Sequence, residues 1–514
     1  MNLRINSRWK FFDSQTAVFT AILLAALIVR LIGILSRPIW YDEAFSILFS
    51  EKGPAAMLAG TLLAKGAAAE EHPLAYYSML WVWMKVFGES PAAARALSIM
   101  AGLGTTCATY LLTRELFNVR TAQAAALLVA FSPFQVHYSQ EIRMYAFLAF
   151  WLALATYAYL RGARSGHWYW WTGFAVCAAL AQYTHNLAAF YLISLALWPL
   201  IIGDWQNLKK VVLAGSLAIL LYLPWLVHIP AQFAKVDQAY WILRPGLYRL
   251  LTLLLYFVTN LPLPNSWLIM GLFSALFTVT IAAWQTIQAV KQKRTDIQSG
   301  LWVLHLTFMP PILLFLFSQW KPVYLERALL PCGVIFCIWL AWALTQTRLP
   351  RPIQIATVLL LLAGFGLGIY EHVTYAGFPY GPYETMMSDL QARQQPGDVI
   401  IHSSKLSLLP SVYYDRSLTQ TYVSDPPGSN VDTLAPATQK VLGLEAKADI
   451  MSAAGNADRV WFIIFDESNQ EYVQAGQTMH PQLVWLMENY SQVEVESRGD
   501  LRVYLFSIKP KAAH

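Results

Sequence analysis

The sequence predicts an α-helical polytopic membrane protein with a small soluble α/β domain at its C-terminal end. Three observations predict it. Of 514 residues, 57% are hydrophobic and only 13% are charged, about half the charge of an ordinary soluble domain. Eleven long apolar runs lie between residues 16 and 370. The charge is also divided: residues 1–371 hold 26 Lys and Arg against 14 Asp and Glu, while residues 372–514 hold 10 against 16. The net +6 is therefore no nucleic-acid signature. It is a basic membrane part joined to an acidic soluble part. The same composition excludes a disordered chain, a collagen and a disulfide scaffold.

The first run, 16–35, follows Arg4, Arg8 and Lys10 and has no small-residue cleavage site after it. It reads as a retained helix, not a cleaved signal peptide. Further spans are expected at 92–113, 122–138, 142–160, 169–184, 187–203, 211–227, 267–289, 301–318, 327–345 and 353–370. Segments 73–87 and 247–261 are short for a bilayer core about 30 Å thick, and the first carries Lys85. They read as helices lying along the membrane surface; counting them gives thirteen.

Charge sets the orientation. With eleven spans, Arg114/Arg120, Arg161/Arg164, Lys209/Lys210, Lys291/Lys293/Arg294 and Arg348/Arg351 fall on the side of the N-terminus, the cytoplasm by the positive-inside rule. Thirteen spans would turn Arg114 through Lys210 outward. The expected outside pieces are 36–91, 228–266, the tail, and short turns around Glu141, His185 and Lys321–Arg327. Charge thus puts the C-terminal domain on the extracytoplasmic side.

The expected domains are a membrane part, 1–371, and a soluble part, 372–514. In the latter, 383–394 reads as a helix, 399–402 as a strand, 460–465 as a strand buried on both faces, 480–490 as a helix and 502–506 as a strand. No glycine-rich phosphate loop accompanies them, so no nucleotide site is expected. Ala67-Ala68-Ala69 and its neighbours are merely alanine-rich, and no repeat is visible. Cys107, Cys177, Cys332 and Cys337 all lie in apolar runs and imply no disulfide framework.

Chemistry-bearing residues gather in the outside pieces. Trp40-Tyr41-Asp42-Glu43 places an acidic pair directly after the first span. It reads either as an aromatic anchor with a solvated acidic turn or as a carboxylate placed to take a proton from an acceptor. Glu141, in Tyr138-Ser139-Gln140-Glu141-Ile142-Arg143, falls on the same side, with Arg143 as a local ion-pair partner. Cations there include His72, Arg143, Arg244, Lys321 and Arg327. Arg327 opens an apolar span, where an unpartnered charge is costly. Glu326 is the plain partner; a lipid phosphate, matched bidentately by a guanidinium, is the functional one. His185 reads either as a helix-end histidine or as a site residue. No zinc spacing, Walker loop or nucleophile elbow occurs.

Taken in order, Trp40-Tyr41-Asp42-Glu43-Ala44, His72-Pro73-Leu74-Ala75-Tyr76-Tyr77, Val86-Phe87-Gly88-Glu89 with Arg95, Tyr138 to Tyr145, and Tyr324-x-x-Arg327-x-x-x-Pro331 resemble a family. The set is similar to the integral-membrane glycosyltransferases of the GT-C fold, in the branch of the protein O-mannosyltransferases and aminoarabinose transferases (family 39-like). The resemblance covers nearly all of residues 10–371. Pro73-Leu74 stands where the family has Pro-Pro, and Ala328 where it has an aromatic residue.

The resemblance implies an inverting glycosyltransferase of the plasma (inner) membrane, with its C-terminal domain periplasmic. A sugar would pass from a polyprenyl-phosphate donor, held beside membrane lipid, to an acceptor protein, lipid or glycan. It implies Asp42, Glu43 and Glu141 as the catalytic acids, Asp42 as general base. His72, Arg143, His185, Lys321, Tyr324 and Arg327 would bind the donor, with His72 and Arg327 at its phosphate. No metal ligand set is expected, although carboxylates near a phosphate are compatible with a divalent cation. No nucleic-acid partner is expected. The alternative is a transporter or flippase of a lipid-linked saccharide; the lack of duplicated halves and the concentration of acids in outside loops weigh against it.

Overall fold

The computed structural model describes residues 14–63, 70–236, 242–346, 349–425 and 433–508. Arg4, Arg8, Lys10, Ala67–Ala69 and Arg348 lie outside the described residues. The chain divides into two compact units. The first holds residues 1–32, 95–226 and 242–373; the second holds 33–94, 227–241 and 374–514. The loop 36–91, placed with the membrane part by sequence, is thus grouped with the C-terminal tail.

The first unit is helical. A helix stands at each of the eleven expected spans, and among the described residues eight helices are long and apolar enough to cross a membrane by length and composition. The run 122–138 is two helices, Val119–Phe131 and Pro133–Ser139. Pro133 lacks the N–H an uninterrupted helix needs and sits at the start of the new one. The two short segments are helices Ala75–Phe87, of 13 residues, in the second unit, and Tyr248–Val258, of 11, in the first. At 1.5 Å per residue they measure about 20 and 17 Å, too short to cross.

Helix Leu330–Thr345 is the axis of this unit. Every residue from Leu330 to Leu344 is buried, among helices Val119–Phe131, Tyr145–Ser165, Asn265–Lys291 and Ile297–Ser318. Its indole N–H groups are satisfied: Trp339 donates to Thr286 Oγ1 at 3.0 Å and Trp342 to Asp296 Oδ2 at 2.8 Å. In helix Pro91–Leu116 the hydroxyls of Thr105, Thr106 and Thr109 each donate to the carbonyl four residues back, the internal pairing that an apolar solvent favours. Arg30, fully buried in helix Ser14–Leu31, donates to the carbonyls of Ala26 (3.1 Å) and Ala130 (2.9 Å). Gln140 Nε2 in turn donates to the carbonyls of Arg30 and Ile32. At Gly368 a Cβ atom would lie 1.9 Å from the carbonyl oxygen of Thr259, so this crossing needs glycine.

The second unit contains a six-stranded sheet. Its strands are β1 (Val399–His402), β2 (Gln420–Val423), β3 (Ala446–Lys447), β4 (Arg459–Phe465), β5 (Tyr490–Arg498) and β6 (Leu501–Ile508), in the order β3-β2-β1-β4-β6-β5. The first four are parallel neighbours; β6 runs antiparallel to β4 and β5. The unbroken apolar run of β4 has a plain cause. Val460, Phe462 and Ile464 enter one core with Leu483 and Leu486, while Trp461, Ile463 and Phe465 enter another with Met386 and Leu390. Alternate side chains leave opposite faces, so both faces are covered and both registers must be apolar. The expected helices are Tyr383–Arg393 and Pro481–Asn489.

Helix Tyr41–Ser50 packs on helices Lys405–Tyr414 and Ala75–Phe87 in this unit. Its entry is pinned by Ile39 N–H donating to Tyr414 Oη at 3.1 Å. Arg416 pairs with Glu51 at 2.8 Å, and Tyr413 Oη donates to the Glu89 carbonyl at 2.9 Å.

Candidate functional site

Glu141, Arg143, His185, Lys321, Tyr324 and Arg327 belong to the first unit; Asp42, Glu43 and His72 belong to the second. Each group is built differently.

In the first unit three helix-linking turns converge on Tyr145. The turn Gln140–Met144 joins helices Pro133–Ser139 and Tyr145–Ser165, and all five of its residues are buried. Tyr145 opens the second of these helices. The Arg327 guanidinium lies 5.2 Å from its ring centroid, a cation–π distance. His185, which ends helix Trp168–Thr184, lies 5.8 Å from the same ring. Tyr138 meets Tyr145 edge-on at 5.4 Å and is within electrostatic reach of both Glu141 and Arg327. Residues as far apart in sequence as 138 and 327 thus form one aromatic and charged cluster.

Protonation within the cluster is partly fixed. Leu187 N–H donates to His185 Nδ1 at 3.1 Å, so a neutral His185 carries its proton on Nε2. Glu141 Oε1 lies 3.5 Å from His137 Nε2. Its other oxygen, Oε2, is buried with no hydrogen-bond partner among the described residues, as is the Tyr324 hydroxyl. Buried oxygens of this kind are costly until a polar group meets them. Burial, then Glu326, pushes the Tyr324 phenol up. Glu326, the plain partner expected for Arg327, accepts from Arg249 Nη1 at 2.5 Å through Oε1. Lys321 is half-buried on the same turn, its ammonium 5.5 Å from the Trp320 ring.

In the second unit Asp42 and Glu43 occupy the first turn of helix Tyr41–Ser50, where the helix dipole favours negative charge. Glu43 is buried and Asp42 half-buried. Lys405, buried at the start of its helix, places its ammonium 5.6 Å from the Tyr41 ring. His72 is held by Glu70: Glu70 Oε1 lies 2.7 Å from His72 Nδ1 and accepts the backbone N–H groups of Glu71 and His72 at 2.8 and 3.0 Å. Glu70 Oε2 accepts from Tyr77 Oη at 2.8 Å. Sequence reasoning missed Glu70, His137 and Lys405. The one available signal was the acid two residues before His72; Lys405 lies hundreds of residues from Tyr41 and gives none. Among the described residues no three His, Cys, Asp or Glu side chains gather as a metal set.

The sequence profile of the family described as dolichyl-phosphate-mannose-protein mannosyltransferase matches residues 71–228. An undecaprenyl phosphate-α-4-amino-4-deoxy-L-arabinose arabinosyl transferase of Pseudomonas paraeruginosa is 29% identical over 179 residues, 33% of this chain and 32% of that protein. The chain therefore aligns with about a third of the length of this curated relative. The crystal structure of ArnT from Cupriavidus metallidurans in the apo state superposes with a TM-score of 0.62 at 14% identity, over 95% of this chain and 97% of that one. The same enzyme bound to undecaprenyl phosphate gives 0.61 at 13%, over 97% and 99%. At such identities the structures establish fold. With the ordered motifs and the profile match, they identify the chain as a GT-C-fold membrane protein similar to the integral-membrane glycosyltransferases.

Proposed function

We propose that this protein is an inverting glycosyltransferase that moves a sugar from a polyprenyl-phosphate donor to an acceptor hydroxyl or amine at the outer face of the membrane. The observation that carries the reading is the buried cluster around Tyr145: Arg327 stacked on the ring, His185 beside it, and Glu141 within reach of Tyr138. It offers a guanidinium and an imidazole to a phosphate from turns at the ends of apolar helices, so a prenyl chain can stay in lipid. The names of the curated relatives, which cite undecaprenyl phosphate and an aminoarabinose, support that donor class.

In the step we infer, Asp42 takes the acceptor's proton as the acceptor oxygen or nitrogen attacks the anomeric carbon. The bond from that carbon to the phosphate oxygen breaks, and its electron pair leaves with the polyprenyl phosphate. His72 and Arg327 stabilise that charge, while Glu43 and Glu141 orient the reacting groups. One displacement inverts the sugar carbon. A phosphate leaves without full protonation, so no second acid is needed.

The test is release of polyprenyl phosphate from a panel of polyprenyl-phosphate sugars, by protein in lipid, with wild type and Asp42→Asn. Turnover should fall by roughly 10²–10⁴-fold in a folded Asp42→Asn variant. Equal turnover in both overturns Asp42 as the base. No donor bound or turned over by the wild type overturns the transferase and favours the transporter.

A further inference from the structure

We propose that Glu70 is a positioning residue for donor binding, acting through His72. The inference rests on the role of His72 given above. The geometry decides which ring nitrogen is offered. Backbone N–H groups can only donate, and two of them, from Glu71 and His72, already point at Glu70 Oε1. That oxygen is therefore an acceptor, and the 2.7 Å contact to His72 Nδ1 is a hydrogen bond given by Nδ1–H. The Nδ1 edge of the imidazole is committed to Glu70. In the proposed role Nε2, on the opposite edge, gives its N–H to the donor phosphate.

The carboxylate is itself held from both ends. Tyr77 Oη donates to Oε2 at 2.8 Å. The Tyr77 ring packs edge-on against Phe45 and Phe49 at 6.1 and 5.3 Å, both on the helix that carries Asp42 and Glu43. Tyr77 is fully buried and Glu70 and His72 are half-buried. The chain of contacts therefore runs from the acidic helix, through two phenylalanines and a tyrosine, to the carboxylate that sets the histidine. An imidazole on an irregular segment would otherwise turn about two side-chain bonds. Four hydrogen bonds to one carboxylate remove that freedom before the donor arrives, which is the condition for a phosphate contact to contribute its full strength.

The experiment measures binding of undecaprenyl phosphate to the full-length protein in detergent, for wild type, Glu70→Ala, His72→Ala and the double variant, with Glu70→Gln and Tyr77→Phe beside them. Thermal melting of each variant checks folding. Glu70→Ala should weaken binding roughly tenfold, as loss of a charge-assisted hydrogen bond does, and should have no further effect once His72 is Ala. Glu70→Gln keeps an acceptor oxygen for Nδ1–H and should restore most of the affinity. Tyr77→Phe leaves the 70–72 segment untouched and should weaken binding about twofold to threefold, again only when His72 is present; it carries the test if Glu70→Ala does not fold. Independent, multiplying effects at residues 70 and 72, or unchanged binding in Glu70→Ala, overturn the inference while leaving the transferase reading intact. A folded wild type that binds no undecaprenyl phosphate overturns the role of His72 itself.

Discussion

The spans Glu326–Thr345 and Arg351–Thr374 are almost equally apolar, yet in an apolar 18-residue stretch of each, 94% of the first is buried inside the protein and only 28% of the second. Hydropathy finds both and separates neither. What separates them is what their side chains must meet. The first carries Trp339 and Trp342, whose indoles find polar partners on neighbouring helices. The second presents Ile355, Leu359 and Leu362 outward, where lipid tails are as good a solvent as protein. Arg327, the cation of the cluster, stands at the mouth of the buried helix, so its position is set by the best-packed element of the unit.

The contrast can be broken at the point where the outward helix stops being outward. Gly368→Leu drives a side chain into the carbonyl of Thr259 and is expected to leave no folded protein on size-exclusion chromatography, a loss above about 4 kcal/mol. Trp339→Ala empties a buried site and removes the bond to Thr286; thermal unfolding in detergent should show a loss of about 3–5 kcal/mol. Leu359→Ala, on the exposed face of helix Arg351–Thr374, should change the same measurement by less than about 0.5 kcal/mol. Equal effects of the last two would erase the distinction between the helices.

The sheet of the second unit sharpens the contrast from another side, because it buries a titratable group. His402, at the end of β1, is fully buried between Ser407 and Gln420, and burial pushes its imidazole down to about 4. Its unfolded value is near 6.5, so the native state binds fewer protons. The stabilisation is complete above about pH 6.5 and is lost as pH falls towards 4, up to about 3 kcal/mol. His402→Gln should flatten that acid dependence, read by hydrogen exchange in β1 and β4 of the full-length protein.

The membrane helices were legible because each is a long apolar run. The break at Ser132-Pro133 was written in the sequence as well, but a hydropathy window smooths over one proline. In the sheet, β1, β4 and β6 were legible and β5 was not. Val493 and Val495 alternate with Gln492, Glu494 and Glu496, yet both valines are exposed, so the pattern marks an edge strand with no core behind it. Asp42, Glu141 and Arg327 stood out as charges at the ends of apolar runs. Their supports did not: Tyr145 joins Arg327 to His185 across well over a hundred residues, and Glu70 was hidden by an alanine-rich neighbourhood. Sequence shows where a charge is expensive; it does not show which distant ring or carboxylate makes that charge tolerable.

The buried Arg30 has a consequence for biosynthesis. Its guanidinium is answered by the carbonyl of Ala130 and its own carbonyl by Gln140, partners 100 and 110 residues further on. At about 5–20 residues per second, a ribosome makes those partners roughly 5–20 s after it makes the arginine. During that interval the first helix holds a cation in or beside the insertion machinery with its final neighbours still untranslated, so its docking is a late event and the order of helix insertion is not the order of assembly.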